Sequence, residues 1–273
     1  MITPVSITEK LLFSTVRLKT SSGSGTGFFF NFKIGDKIAP VIVTNKHVVN
    51  NKTLENVNFL LHVGNNGQPT DENIPINYNA NWIFHPNLDL CFSFVNPIFE
   101  HFKITLKKDV FFIPITEELI WDAQKLEELQ AVEDVLMVGS PIGLWDEKNN
   151  LPLIRKGITA THPAIDFNRE SIGVVDLSVF PGSSGSPIFI INTNGYSDKK
   201  GNSYLGASRI VFIGILFEGP VFNQEGNLTI QEIPTQQKIV SATPSMINLG
   251  YYIKTKEIFV LKKLAEELIN KTI

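Results

Sequence analysis

The sequence is poor in the features that mark several large classes of protein. Its 273 residues include one cysteine, Cys91, so no disulfide can form within the chain, and a reducing compartment suits it better than an oxidising one. The opening MITPVSITEKLLFSTVRLKT lacks the basic-then-apolar layout and small-residue cleavage site of a secretory signal. No apolar run approaches the roughly 18 residues needed to cross a bilayer. A soluble, cytoplasmic protein without a membrane partner is therefore expected. Positive charge is not in excess, since 24 Lys and Arg against 27 Asp and Glu leave a net charge of −3. That argues against nucleic acid as a partner, which usually calls for a basic surplus. No HExxH and no clustered Cys/His spacing supports metal catalysis, and no cofactor is called for. GSGTG at 23–27 is glycine-rich, but it has neither the Gly-Lys-Ser/Thr ending nor the following helix of a phosphate loop.

What is present is apolar and strand-like. Hydrophobic residues make up 43% of the chain, with 20 Phe, enough for a substantial core. Short apolar runs rich in β-branched and aromatic residues recur between Gly, Pro, Asn and Asp. They are VRLKT, TGFFFNF, PVIVTNKHV, VNFLLHV, LDLCFSFV, VLMVGSP, GVVDLSV, SPIFII, RIVFIGILF and LGYYIK. This pattern predicts an all-β antiparallel barrel or sandwich and not a doubly wound sheet. Two stretches have helical periodicity: EELIWDAQKLEELQ, and TKEIFVLKKLAEELIN with Thr255 as its expected cap. Polar stretches at 63–74, 192–204 and 223–244 read as exposed loops. The strand distribution suits two barrel-like halves joined near residues 100–130.

Residues 181–187, PGSSGSP, pack three serines and two glycines between the apolar runs VVDLSVF and IFII. Gly182 and Gly185 permit a sharp bend, and such a bend can aim successive N–H groups at one point, as an oxyanion requires. A serine hydroxyl becomes a nucleophile only when a base takes its proton, and that base is usually a histidine held by a carboxylate. Of five histidines (His47, His62, His85, His101 and His162), His47 stands out because it closes the apolar strand PVIVTNKHVV. Asp89, within NLDLCFSFV, is expected to be partly buried and so to need a partner. The chain order His47, Asp89, then the serine turn, with gaps of 42 and 95 residues, brings these signals together.

At these residues the chain resembles the trypsin-like serine peptidases, most closely in pattern their bacterial HtrA-type branch. SGSGTGFFF resembles the family's opening strand, VIVTNKHVV its histidine motif and HPNLDLCFSF its aspartate motif. VGSPIG with RKGITA resembles two second-barrel strands, VVDLSVFPGSSGSPIF the nucleophile segment, and INLGYYIK the closing strand. The resemblance runs from about residue 12 to about residue 270. It implies one peptidase domain over 1–273: two six-stranded antiparallel barrels, at about 10–110 and 130–254, and a C-terminal helix at about 255–270. It implies His47 as general base, Asp89 as its orienting carboxylate, Ser184 as nucleophile, and the N–H groups of Gly182 and Ser184 as the oxyanion hole. The expected activity is cleavage of proteins or peptides through an acyl-enzyme. The catalytically silent alternative is the same fold kept as a binding scaffold.

Departures from the family pattern refine these expectations. Ser183 stands where digestive-type members carry an aspartate that receives a newly cut N-terminus, so activation by such a cut is not expected. Ser186 replaces a glycine. Ser178 matches the floor of the pocket for the residue before the cut. Phe217, Glu218 and Gly219 match the strand that walls this pocket. An uncharged floor favours an apolar or small residue there, although Glu218 and Asp176 lie close enough in sequence to supply negative charge. No PDZ domain is expected after the closing helix. A peptidase working inside a cell is expected to have narrow specificity or an activation step, for which a regulatory protein partner is one source.

Overall fold

A computed structural model describes residues 1–227, 240–246 and 248–272. After a short helix α1 (Ile7–Leu11), the first half runs through β1 (Thr15–Lys19), β2 (Ser24–Ile34), β3 (Lys37–Thr44), β4 (Leu54–Asn65), β5 (Gln68–Asn81), β6 (Ile83–Phe84), β7 (Cys91–Phe94), β8 (Asp109–Phe111) and β9 (Ile115–Thr116). These strands form a nine-stranded sheet in the order β5-β4-β1-β2-β3-β7-β6, with β8 beside β4 and β9 beside β2. The sheet curls on itself, and the Tyr78 hydroxyl of β5 donates to the Phe94 carbonyl of β7 at 3.0 Å.

The second half contains β10 (Asp134–Gly139), β11 (Leu153–Thr159), β12 (Ile172–Asp176), β13 (Pro187–Asn192), β14 (Gly195–Ser197), β15 (Ser203–Leu205), β16 (Arg209–Glu218), β17 (Val221–Asn227), β18 (Val240–Met246) and β19 (Leu249–Lys254). Six of these close a barrel in the order β10-β11-β12-β19-β16-β13. Closure leaves this barrel without an unpaired edge. Each of the ten apolar runs singled out in the sequence overlaps a strand.

Period-2 alternation explains how the halves join. Phe28, Phe30 and Phe32 of β2 share one face, while Phe29 lies on the other with the first half's own core. The Phe28 ring meets Phe212 of β16 edge to face at 5.5 Å, and Phe212 stacks on Phe189 of β13 at 5.1 Å. One apolar cluster thus spans both halves, and Ile258, Leu261 and Ala265 of the C-terminal helix (Ile258–Thr272) complete it.

Four expectations need correction. EELIWDAQKLEELQ is not one helix but a 3-10 turn at Glu117–Leu119 and one short helix at Ala123–Leu126. Ile120 adopts extended backbone between them, and the Asp122 carboxylate caps the second piece by accepting from Lys125 N at 2.8 Å. The stretch 63–74 is largely a hairpin, since β4 and β5 pair across a turn at Asn66 and Gly67, both with positive φ. The stretch 192–204 likewise contains the β14–β15 hairpin. Thr255 does not cap the last helix through its side chain; its hydroxyl donates to the Phe212 carbonyl at 3.0 Å. Of the expected loop at 223–244, the two ends are strand and 228–239 lies outside the described residues. Among the described residues, no helix is long and apolar enough to cross a membrane.

Candidate active site

β3 ends at Thr44, and the chain turns through a 3-10 helix at His47–Val49. Asn50 closes that turn with φ 58°, a left-handed conformation that asparagine tolerates well. The turn brings the His47 imidazole out of the sheet toward Asp89. His47 Nδ1 lies 2.5 Å from Asp89 Oδ2, and the His47 N–H donates to Asp89 Oδ1 at 3.1 Å. The Asn45 side-chain amide fixes the same segment by donating to the Asp89 carbonyl at 2.6 Å. Burial works against ionisation of Asp89. The bonds from His47 and from the Lys46 backbone outweigh it and hold the carboxyl below the usual aspartate value.

His85 shapes the approach to Asp89. Its ring is buried, Nδ1 accepts from the N–H groups of Asn87 and Leu88 at 3.2 and 3.0 Å, and Nε2 lies 3.0 Å from Glu257 on the 3-10 turn before the last helix. Burial lowers its pKa, partly offset by Glu257. The sequence offered only a histidine before proline.

The PGSSGSP turn is held from the first half of the molecule by Thr26. The Thr26 N–H donates to the Ser184 carbonyl at 2.8 Å, and its hydroxyl donates to the Gly182 carbonyl while accepting from the Ser140 N–H, both at 3.0 Å. From the second half, the Leu216 carbonyl receives the Gly185 N–H at 2.8 Å. Gly182 and Gly185 have φ of 91° and 87°. A Cβ on Gly185 would stand 1.8 Å from the Thr26 carbonyl oxygen, so only glycine fits. Thr26 is the residue holding the candidate site that motif reading missed. Its place inside the glycine-rich GSGTG strand was the available signal.

His47, Gly182 and Ser184 line one cavity of about 450 Å³ together with Ser22–Ser24, Ile142 and Gly143. Among the described residues, the N–H groups of Gly182 and Ser184 find no hydrogen-bond acceptor. Ser184 Oγ donates to the Phe217 carbonyl at 3.5 Å and is not bonded to His47. That carbonyl is available because the β16–β19 ladder skips Phe217 at a register shift between Leu216 and Glu218. Ser183 and Ser186 are fully buried, which separates them from Ser184.

The residues expected to form the pocket before the cut are less convergent. Ser178, Phe217, Glu218 and Gly219 do not line the cavity shared by His47 and Ser184. Glu218 is exposed. Val179 is buried and packs between the backbones of Gly219 and Gly250, where added Cβ atoms would meet its methyls at 3.1 and 2.7 Å. Among the described residues, no cluster of three His, Cys, Asp or Glu is placed to hold a metal ion.

Residues 25–195, which include His47, Asp89 and Ser184, match the model of the trypsin-like peptidase domain. The chain belongs to the trypsin-like peptidase family. No curated protein matches it. Solved structures similar to this trypsin-like peptidase include a thermostable serine protease, AL20, from an extremophilic microorganism, at 11% identity over 93% of this chain and 95% of that one, with TM-score 0.45. The inactive form of a serine-to-alanine mutant of Rv3671c from M. tuberculosis H37Rv is 15% identical over 91% and 84%, with TM-score 0.42. A serine protease of a human pathogenic astrovirus is 14% identical over 89% of each chain, with TM-score 0.41. Likeness at this level says nothing of shared substrate.

Proposed function

We propose that the protein is a serine endopeptidase using His47, Asp89 and Ser184. The observation that carries this reading is the bonded His47–Asp89 pair facing, across one cavity, a serine flanked by two unpaired amides. Ser184 Oγ attacks the substrate carbonyl carbon as His47 Nε2 takes its proton. The carbonyl oxygen, now an anion, accepts from the N–H groups of Gly182 and Ser184. His47 then protonates the leaving amine, and the peptide bond breaks to leave an ester on Ser184. Water, deprotonated by His47, attacks that ester, and the proton returns to Ser184 as the acid product departs. Asp89 holds the imidazole with Nδ1 protonated and stabilises its cationic form.

The activity is gated or narrowly specific. Ser184 Oγ rests on the Phe217 carbonyl, and a χ1 rotation toward His47 must precede attack. Substrate, or a regulatory protein partner, supplies that alignment. Ser178 is the floor and Phe217–Gly219 the wall of the pocket for the residue before the cut, and this uncharged floor beside Val179, packed against Gly219 and Gly250, favours an apolar or small residue. The test is digestion of unfolded casein and a peptide library, with new termini mapped by mass spectrometry. New termini from the wild type and none from Ser184→Ala are expected. Rapid casein degradation without any additive would overturn the gated part, and equal cleavage by both proteins would overturn the whole.

A further inference from the structure

Period-2 alternation in β1, TVRLK, buries Val16 and Leu18 and sends Arg17 and Lys19 to the opposite face. They line a cavity of about 490 Å³ with Trp145, Asn58, Asn77 and Asn150, together with apolar residues of β4 and β5. No carboxylate lines it, although the chain as a whole is net negative. Neither Arg17 nor Lys19 takes part in the ion pairs of the described residues. Glu147 lends Arg17 only a more distant attraction, which opposes the lowering of its pKa by burial. The Arg17 guanidinium lies over the Trp145 ring at 4.1 Å, and Arg17 Nε and Trp145 Nε1 are buried donors without an acceptor. Unsatisfied buried donors are costly, and the partly exposed remainder of the guanidinium is open to an anion.

This cavity adjoins the catalytic one at Gly143. A Cβ built there would lie 3.0 Å from Arg17 Nη2 and 3.2 Å from Ser24 Oγ, and both Gly143 and Ser24 line the catalytic cavity. On the peptidase reading Phe217–Gly219 take the residue before the cut, which leaves the catalytic cavity for the part of the substrate that departs as the amine. We infer that Arg17, Lys19 and Trp145 form an anion-accepting subsite for an acidic side chain on the leaving-group side of the cut. The inference rests on the peptidase reading for its role, while the site itself can be tested without it. A carboxylate there would accept from the terminal nitrogens of the Arg17 guanidinium beside the Trp145 ring, a charge-assisted arrangement stronger than a neutral one.

The test has two parts. In Ser184→Ala protein, the Trp145 indole N–H resonance, assigned with Trp145→Phe, is titrated with acetyl-Gly-Glu-Glu-Gly-amide and its glutamine analogue. The acidic peptide is expected to shift it saturably with about tenfold higher affinity, a ratio that falls to near one in Arg17→Gln. Should Arg17→Gln fail to fold, Lys19→Gln, whose side chain is exposed, is expected to lower the ratio severalfold. Equal shifts by both peptides overturn the subsite. In the wild type, quenched peptides carrying Asp or Glu after the cut are expected to gain about tenfold in kcat/KM through KM. Acidic binding with no acid preference in cleavage overturns the subsite's role. No cleavage of any peptide, with or without lysate, fails the peptidase reading and leaves the titration decisive for the site.

Discussion

Thr26 and Ser184 sit in opposite halves of the molecule, yet the Thr26 N–H donates to the Ser184 carbonyl at 2.8 Å. The same threonine binds the Gly182 carbonyl through its hydroxyl, so one residue of β2 sets both ends of the proposed oxyanion hole. Thr26→Val keeps the shape and the backbone bond but removes the hydroxyl from the buried Ser140 N–H and Gly182 carbonyl. Leaving these unsatisfied costs about 1–3 kcal/mol each. A lower unfolding midpoint and at least a tenfold slower labelling of Ser184 are expected. Unchanged values for both would show that Thr26 does not position the turn.

Gly185 answers to the same neighbour. Gly185→Ala places a methyl against the Thr26 carbonyl at a left-handed φ. A loss of more than about 2 kcal/mol is expected from strain and clash together, read by urea unfolding. A loss under 0.5 kcal/mol would contradict the geometry.

Phe212 tests the shared core. It contacts Phe28 of the first half and Phe189 of its own barrel. Phe212→Ala is expected to cost about 3–5 kcal/mol and to lower one common unfolding transition. Calorimetry showing one half unaffected would contradict a core common to both.

His62 gives the pH dependence. Burial lowers its pKa from 6.5 to about 4, and its Nε2 lies 3.1 Å from the Asn150 carbonyl. The folded state binds the proton more weakly than the unfolded state, so stability falls as pH drops from 6.5 toward 4. Below that value the loss is complete, of the order of 3 kcal/mol. His62→Phe is expected to reduce the slope in this window in urea unfolding at pH 7, 5.5 and 4, leaving the share that buried His85 contributes with the same sign. A variant with the wild-type slope would assign the effect to another group.

Much of this was legible in the chain because local pattern and global fold agree. Alternation in TGFFFNF and TVRLK places each side chain on its observed face, and the glycines of PGSSGSP mark the positive-φ positions. The reach of the β4–β5 hairpin was not legible, because Gln68–Asn73 at its turn end is polar and carries no alternation, although Ile74, Ile76, Tyr78 and Ala80 beyond it alternate toward the core. EELIWDAQKLEELQ has helical periodicity, but tertiary packing buries Leu129 while Asp122 caps a new start, and the helix breaks. Thr26 and His85 were invisible as site residues because their partners lie 156 and 172 positions away. Ser178 and Phe217–Gly219 were named from resemblance, and the packing of Val179 between Gly219 and Gly250 depends on side-chain geometry that no motif encodes.

The most direct measurement is labelling with a fluorophosphonate, read by intact mass and peptide mapping. It reports whether one serine is nucleophilic, whatever the natural substrate. The wild type is expected to gain a single adduct on Ser184, Ser184→Ala none, and His47→Ala and Asp89→Asn adducts formed at least a hundredfold more slowly. An adduct on Ser183 or Ser186, or none on the wild type with or without peptide and lysate, would contradict the assignment of Ser184 as an activated nucleophile.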